Sequence, residues 1–211
     1  MRYKGLRVRI IGAGTGGLCL AQGLRQDDVK VEVFERDHTP TDRLQGYRLS
    51  INATGRRALK ACIPPELFAK LIANCAKPSE GVTFLDHRLN RLLVIDLHHR
   101  DAEDAESELP VSRIALRGIL SEGLNDVIHY GKRCVAFEDD PQGDVSAHFE
   151  DGSTTTGDVL IGADGAGSHM RAQLLPQARR VETGLVAVSA KLGLSEDVRR
   201  ATPRPSCAAL R

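Results

Sequence analysis

Four residues near the start of the chain have the types and spacing to hold a phosphate and a sugar. Gly12, Gly14 and Gly17 form a G-x-G-x-x-G pattern, and Glu35 follows 18 residues after the last glycine. Gly12 permits a tight turn. Gly14 lacks a Cβ, so a pyrophosphate can approach the backbone. Gly17 lets a helix pack closely on a strand. The intervening Ala13 and Thr15 belong to the same turn. An acid at Glu35 can accept hydrogen bonds from the 2′ and 3′ hydroxyls of a ribose. The same acid repels a 2′-phosphate, which favours FAD or NAD over NADP. Arg36, directly after it, can hold a phosphate and stays in the candidate site.

The elements needed to position these residues are legible around them. "LRVRII" (6–11) reads as a buried parallel strand. "TGGLCLAQGLRQ" (15–26) places Leu18, Cys19, Ala21 and Leu24 at helical spacing, and "KVEVFE" (30–35) alternates as a second strand. The helix N-terminus presents free N–H groups and a partial positive charge to an anion. Arg9 is the exception, a charge inside a central strand. It is expected to pair with an acid such as Glu32 on the neighbouring strand, because an unpaired buried charge costs several kcal/mol.

Beyond Glu35 the regular alternation stops. An irregular polar stretch (36–55) precedes a helix carrying Arg56, Arg57, Leu59, Lys60 and Cys62, and a second helix follows the double proline at 64–75. "GVTFLDH" and "RLLVIDLHH" read as strands. This detour suggests a second layer inserted into the dinucleotide fold. "PVSRIALRGILSEGL" (110–124) gives an apolar helical stripe of Ile114, Leu116, Ile119, Leu120 and Leu124, with Arg113 at its start and Arg117 one turn later. Two alternating strands surround the turn at 141–144. A further turn at Asp151–Gly152 leads to the apolar strand 159–161, which ends in Gly162-Ala163-Asp164-Gly165.

Taken in order, GAGTGG at 12–17, "VFER" with Glu35, "R-x-x-L-R-x-x-L" from Arg113 and "DVLIGADGAGSHMR" at 158–171 resemble the FAD-dependent aromatic hydroxylases, the single-component flavoprotein monooxygenases of the para-hydroxybenzoate hydroxylase type. The resemblance runs from residue 6 to about 190 and covers the N-terminal half of that family. It implies an α/β, Rossmann-like FAD/NAD(P)-binding fold with part of an inserted mixed β-sheet substrate layer. Residues 1–180 would form the FAD-binding domain, with an inserted segment at about 70–110, and 181–211 the start of the substrate-domain sheet. Glu35 would hold the adenosine ribose. Arg48 would approach the flavin, with Gly46 turning its loop. Arg113 would contact the ribityl and phosphate region, and Asp164 the pyrophosphate. FAD is the implied cofactor and NAD(P)H the co-substrate. The implied reaction hydroxylates an aromatic or polycyclic small molecule with O₂ through a flavin C4a-hydroperoxide. No side chain is assigned as a catalytic acid or base.

The family's later Gly-Asp motif is missing before Arg211, so the chain is expected to be truncated and to fall short of a complete hydroxylase. Its expected partners are a second copy or the missing C-terminal half. Other flavoenzymes, such as a reductase or epoxidase, and a non-catalytic FAD-fold remnant are the alternatives. The lack of Trp argues against a halogenase.

Composition excludes several classes. A net charge of +1 gives no case for nucleic acid. No apolar run approaches the ~20 residues of a membrane span, and no signal peptide is evident. Five scattered cysteines without C-x-x-C argue against a disulfide framework or zinc site and for a reducing, cytoplasmic setting. The seven histidines lack metal spacing and read as surface residues. No G-x-S-x-G elbow supports a hydrolase.

Overall fold

The computed structural model describes residues 3, 5–42, 48–76, 81–96, 108–141, 143–186, 193 and 195–201. The elements run β1 (Arg7–Ile11), α1 (Thr15–Gln26), β2 (Lys30–Phe34), β3 (Arg48–Ile51), α2 (Ala53–Cys62), α3 (Pro65–Ala73), β4 (Gly81–Leu85), β5 (Arg91–Asp96), β6 (Leu109–Ser112), α4 (Arg113–Ser121), β7 (Ile128–His129), β8 (Cys134–Asp139), β9 (Val145–Phe149), β10 (Thr154–Gly157), β11 (Val159–Gly162), α5 (His169–Leu174) and α6 (Glu196–Ala201). The central sheet is parallel, in the order β11-β1-β2-β7.

Strand alternation gives this sheet two faces. Val8, Ile10, Val31 and Val33 point to one side and pack with Leu18, Ala21, Leu116, Ile119 and Leu120 of the helical layer. Ile11 and Phe34 point to the other and pack with Cys134, Ala147, Phe149 and Met170. That second cover is the antiparallel sheet β10-β9-β8 together with α5. Arg9 falls on the same side. Its guanidinium lies 2.8 Å from Glu32, its register partner on β2, and its Nε donates to the Thr156 carbonyl at 3.1 Å. The charge is thus paired across adjacent strands, as expected.

The detour after β2 holds two further pairs, β3-β6 and β4-β5, both antiparallel. The part of the polar stretch at 48–55 is more regular than its polarity suggests. Arg48–Ile51 forms β3, whose partner lies about sixty residues downstream, beyond the reach of local periodicity. α2 starts at Ala53, where the Asn52 side chain accepts from the Gly55 N–H. Residues 181–186, expected to begin a strand, carry none and are exposed; no described strand lies beside them to complete a ladder. The rest of that expectation, 187–190, lies outside the described residues, as do Gly46, His98, His99 and Cys207. Among the described residues, no helix is long and apolar enough to cross a membrane, and no His, Cys, Asp and Glu cluster could hold a metal ion.

Candidate functional site

The C-terminal ends of β1, β2 and β11 meet at one edge of the parallel sheet, the usual position for a ligand in such folds. A cavity of about 440 Å³ opens there. Its walls come from the β1–α1 turn, the segment after β2, the exposed face of α4, the start of β8 and the loop after β11.

The glycine turn is built by close contacts. Gly12 takes φ +112°, a left-handed conformation that suits glycine, and a Cβ there would strike the Ala163 carbonyl. A Cβ on Gly17 would run into the Gly12 carbonyl, so α1 can press against the turn only without one. Gly14 differs. Its φ of −75° suits any residue, and a Cβ would meet nothing within 4 Å. Its missing side chain leaves open space on the cavity side. No side chain caps α1, and its first turn holds no acid. The N–H groups there suit an anionic ligand.

Glu35 stands one residue beyond β2 and is buried. One carboxylate oxygen, Oε2, accepts from the Ala13 N–H at 2.8 Å; the other, Oε1, accepts from the Asp37 N–H at 3.0 Å. A carboxylate offers about four acceptor positions, so two remain for a hydroxyl pair. The Glu35 backbone is fixed as well, its N–H donating to His129 O and its carbonyl accepting from the Lys132 N–H.

Gly12, Ala13, Gly14, Thr15, Glu35, Arg36, Arg113 and Asp164 all line the cavity. Gly17 sits just behind it as the packing residue. Asp164 accepts from the His169 N–H at 3.0 Å, tying the loop after β11 to the start of α5. Arg48 is exposed, begins β3 and pairs in register with Ser112, next to Arg113, but does not line the cavity. Gly46 lies outside the described residues. The stripe assigned to α4 needs one change: Ile114 is 49% exposed and forms part of the cavity wall, while Leu116, Ile119 and Leu120 are buried. α4 ends at Ser121, and Leu124 is buried in the turn after it.

Two residues of this site escaped the sequence reading. Gln22, buried on α1, donates to the carbonyls of Leu120 and Glu122 at 2.9 and 2.8 Å. This ties the end of α4 to α1, and Arg113 and Arg117 of the same helix line the cavity. Arg117 is the second. Its Nε donates to Ala13 O at 3.1 Å, and its other two nitrogens lie 3.5 Å from Glu35 and from Asp37. The one signal available was its spacing, one helical turn after Arg113.

The wall holds the cations Arg36, Arg113, Arg117, Lys132 and Arg133 against the acids Glu35, Asp37 and Asp164. Lys132 is itself paired with Asp151 at 2.6 Å. Burial is the main cause that pushes the Tyr130 phenol and the Cys134 thiol up from their ordinary values, so both stay protonated near neutral pH. The described wall offers binding groups and no activated nucleophile.

The fold is a Rossmann-like α/β unit with its cavity at the C-terminal ends of the parallel strands. Residues 10–61 match the NAD(P)-binding Rossmann-like domain family. The chain is 34% identical over 198 residues to the dual O-methyltransferase/FAD-dependent monooxygenase elcB of Phaeosphaeria nodorum, covering 92% of this chain and 21% of that protein. A solved structure from Photorhabdus luminescens, assigned as an FAD-containing monooxygenase, shares 36% identity and a TM-score of 0.69 over 82% of this chain and 43% of its own. HpxO of Klebsiella pneumoniae, solved with FAD and uric acid, shares 25% identity and a TM-score of 0.64 over 81% of this chain and 42% of its own. Over most of its length the chain is therefore similar to part of the FAD-dependent monooxygenases, and it spans less than half the length of these relatives.

Proposed function

We propose that this chain is the FAD-binding portion of an NAD(P)H-dependent monooxygenase that hydroxylates an aromatic or polycyclic small molecule with O₂. One observation carries the reading: the open space at Gly14, the uncapped start of α1 and the two unused acceptor positions of Glu35 face one cavity. These features fit the pyrophosphate and ribose of a dinucleotide. The cofactor would supply the redox chemistry, while the protein supplies position and exclusion of water.

In this reading α1 receives the pyrophosphate through its first N–H groups, and Arg113 adds positive charge from the opposite wall. Glu35 accepts from the ribose hydroxyl pair. Asp164 holds the loop after β11 against the turn. Arg36 faces the ligand from the ribose side. Gly46 and Arg48 would belong to the flavin side, with Arg48 brought near Arg113 by β3-β6 pairing. Residues 1–180 would form the cofactor unit, including an insert at about 70–110, and 181–211 would lead into the substrate layer. A second copy or a C-terminal portion would cover the exposed β4-β5 hairpin. A cytoplasmic setting suits the scattered cysteines.

The test is FAD titration followed by visible absorbance and flavin fluorescence, then NAD(P)H oxidation with a panel of phenols. FAD should bind, be displaced by ADP, and support no phenol-dependent NAD(P)H oxidation by residues 1–211 alone. No FAD binding at saturating concentration would overturn the cofactor assignment. Full turnover would overturn the view that further chain is needed.

A further inference from the structure

Arg117 touches three parts of the candidate ribose site at once. It hydrogen-bonds the glycine turn through Ala13 O, and it sits 3.5 Å from each of two buried carboxylates, Glu35 and Asp37. Its side chain is only 18% exposed, and theirs are 9% and 8%. Two like charges this close and this buried need a neutralising partner. Arg117 is a cation that lies within 3.5 Å of both. Its Nη2 is buried and has no hydrogen-bond partner among the described residues; at 3.5 Å from Glu35 it is near enough for charge attraction and too long for a normal hydrogen bond.

We infer that Arg117 is a positioning residue for ribose recognition, acting through Glu35; this rests on the dinucleotide reading above. The guanidinium fork ties the carboxylate to the same turn that receives the phosphates. Each oxygen of the Glu35 carboxylate accepts one backbone N–H, Oε2 from Ala13 and Oε1 from Asp37. Attraction to Arg117 holds the plane of the group, so the remaining acceptor positions keep a fixed aim. A neutral residue at 117 would leave two neighbouring buried carboxylates to turn apart, and the diol would lose its aligned acceptors. A lysine carries the charge but lacks the planar fork needed to reach Ala13 O, Glu35 and Asp37 together. At the phosphate end the turn would lose its contact through the Ala13 carbonyl, while the first N–H groups of α1 would remain.

The test compares ADP with 2′,3′-dideoxy-ADP by calorimetry on the unaltered chain, Arg117→Gln and Arg117→Lys. The unaltered chain should prefer ADP by at least about tenfold, from hydrogen bonds to a charged acceptor. Arg117→Gln should cut that preference at least about fivefold, because ADP loses more affinity than dideoxy-ADP. Arg117→Lys should fall between the two, and it carries the test if circular dichroism shows that Arg117→Gln does not fold. Equal loss of affinity for both nucleotides, or no change for either, would overturn the inference by showing a general structural role or none. An unaltered chain that binds both nucleotides equally would instead overturn the ribose reading of Glu35 and the inference with it. Binding of neither nucleotide would do the same to the dinucleotide site.

Discussion

Two strand pairs of this molecule use the same residue types and reach opposite ends. In β1-β2, Val8, Ile10, Val31 and Val33 are 0–4% exposed. In β4-β5, Val82, Phe84, Leu93 and Ile95 share one face, Leu92 and Val94 the other, and all six are 41–68% exposed. The central pair has helices on one side and the β8–β10 sheet on the other. Neither face of the hairpin is covered by the described residues. β-branched and aromatic side chains therefore establish that a strand forms, and the layers around it decide what the strand contributes to stability. The central sheet ends at the cavity and fixes it; the hairpin is an apolar surface awaiting a cover.

Substitution should expose the contrast most strongly at Ile10. Ile10→Ala removes a side chain with no exposed area and should cost about 2–5 kcal/mol of unfolding free energy. Leu93→Ser on the hairpin should cost less than about 0.5 kcal/mol and reduce self-association. Urea denaturation with gel filtration measures both. Comparable losses at the two sites would show that the hairpin is packed in solution.

The next effect lies at the cavity. Glu35→Gln keeps the size of the side chain but removes its charge, and should weaken FAD or ADP binding by ~1–3 kcal/mol. Unchanged affinity in a titration would remove Glu35 from the ribose site.

The smallest effect concerns the outer edge of the central sheet. Arg7 bonds Asp158 at 2.7 Å and holds its carboxyl down at about 2. A depressed carboxylate contributes stability above its unfolded value near 4 and loses it as the pH falls through about 2. Arg7→Met should lower the thermal midpoint slightly at neutral pH, because the pair is about one third exposed and screened by solvent. The gap between variant and unaltered chain should close between about pH 4 and pH 2. A gap that stays constant over that range would assign the effect to packing.

Much of the phosphate half of the site was legible, because its signals are local. Gly12, Gly14 and Gly17 sit in one turn between a strand and a helix that short periodicities identify. Glu35 ends the next alternating run. Even the Arg9–Glu32 pair follows from placing two parallel strands in register. The unread parts depend on distant chain. β3 exists because β6 pairs with it. Arg117 becomes part of the site because α4 docks on α1 through Leu18, Ala21, Leu116, Leu120 and the Gln22 hydrogen bonds. Ile114 fits the helical stripe by spacing, yet it faces the cavity, which no periodicity can show. Residues 181–186 have the composition of a strand without a described neighbour to pair with.

The most direct test of the dinucleotide site is ADP binding by the unaltered chain and by Gly14→Val, with circular dichroism as the control for folding. With the pyrophosphate seated in the open space beside Gly14, a branched side chain there would displace it. ADP should bind the unaltered chain measurably, and Gly14→Val should lose that binding with an unchanged fold. A folded Gly14→Val chain that binds ADP as tightly as the unaltered one would place the phosphates elsewhere.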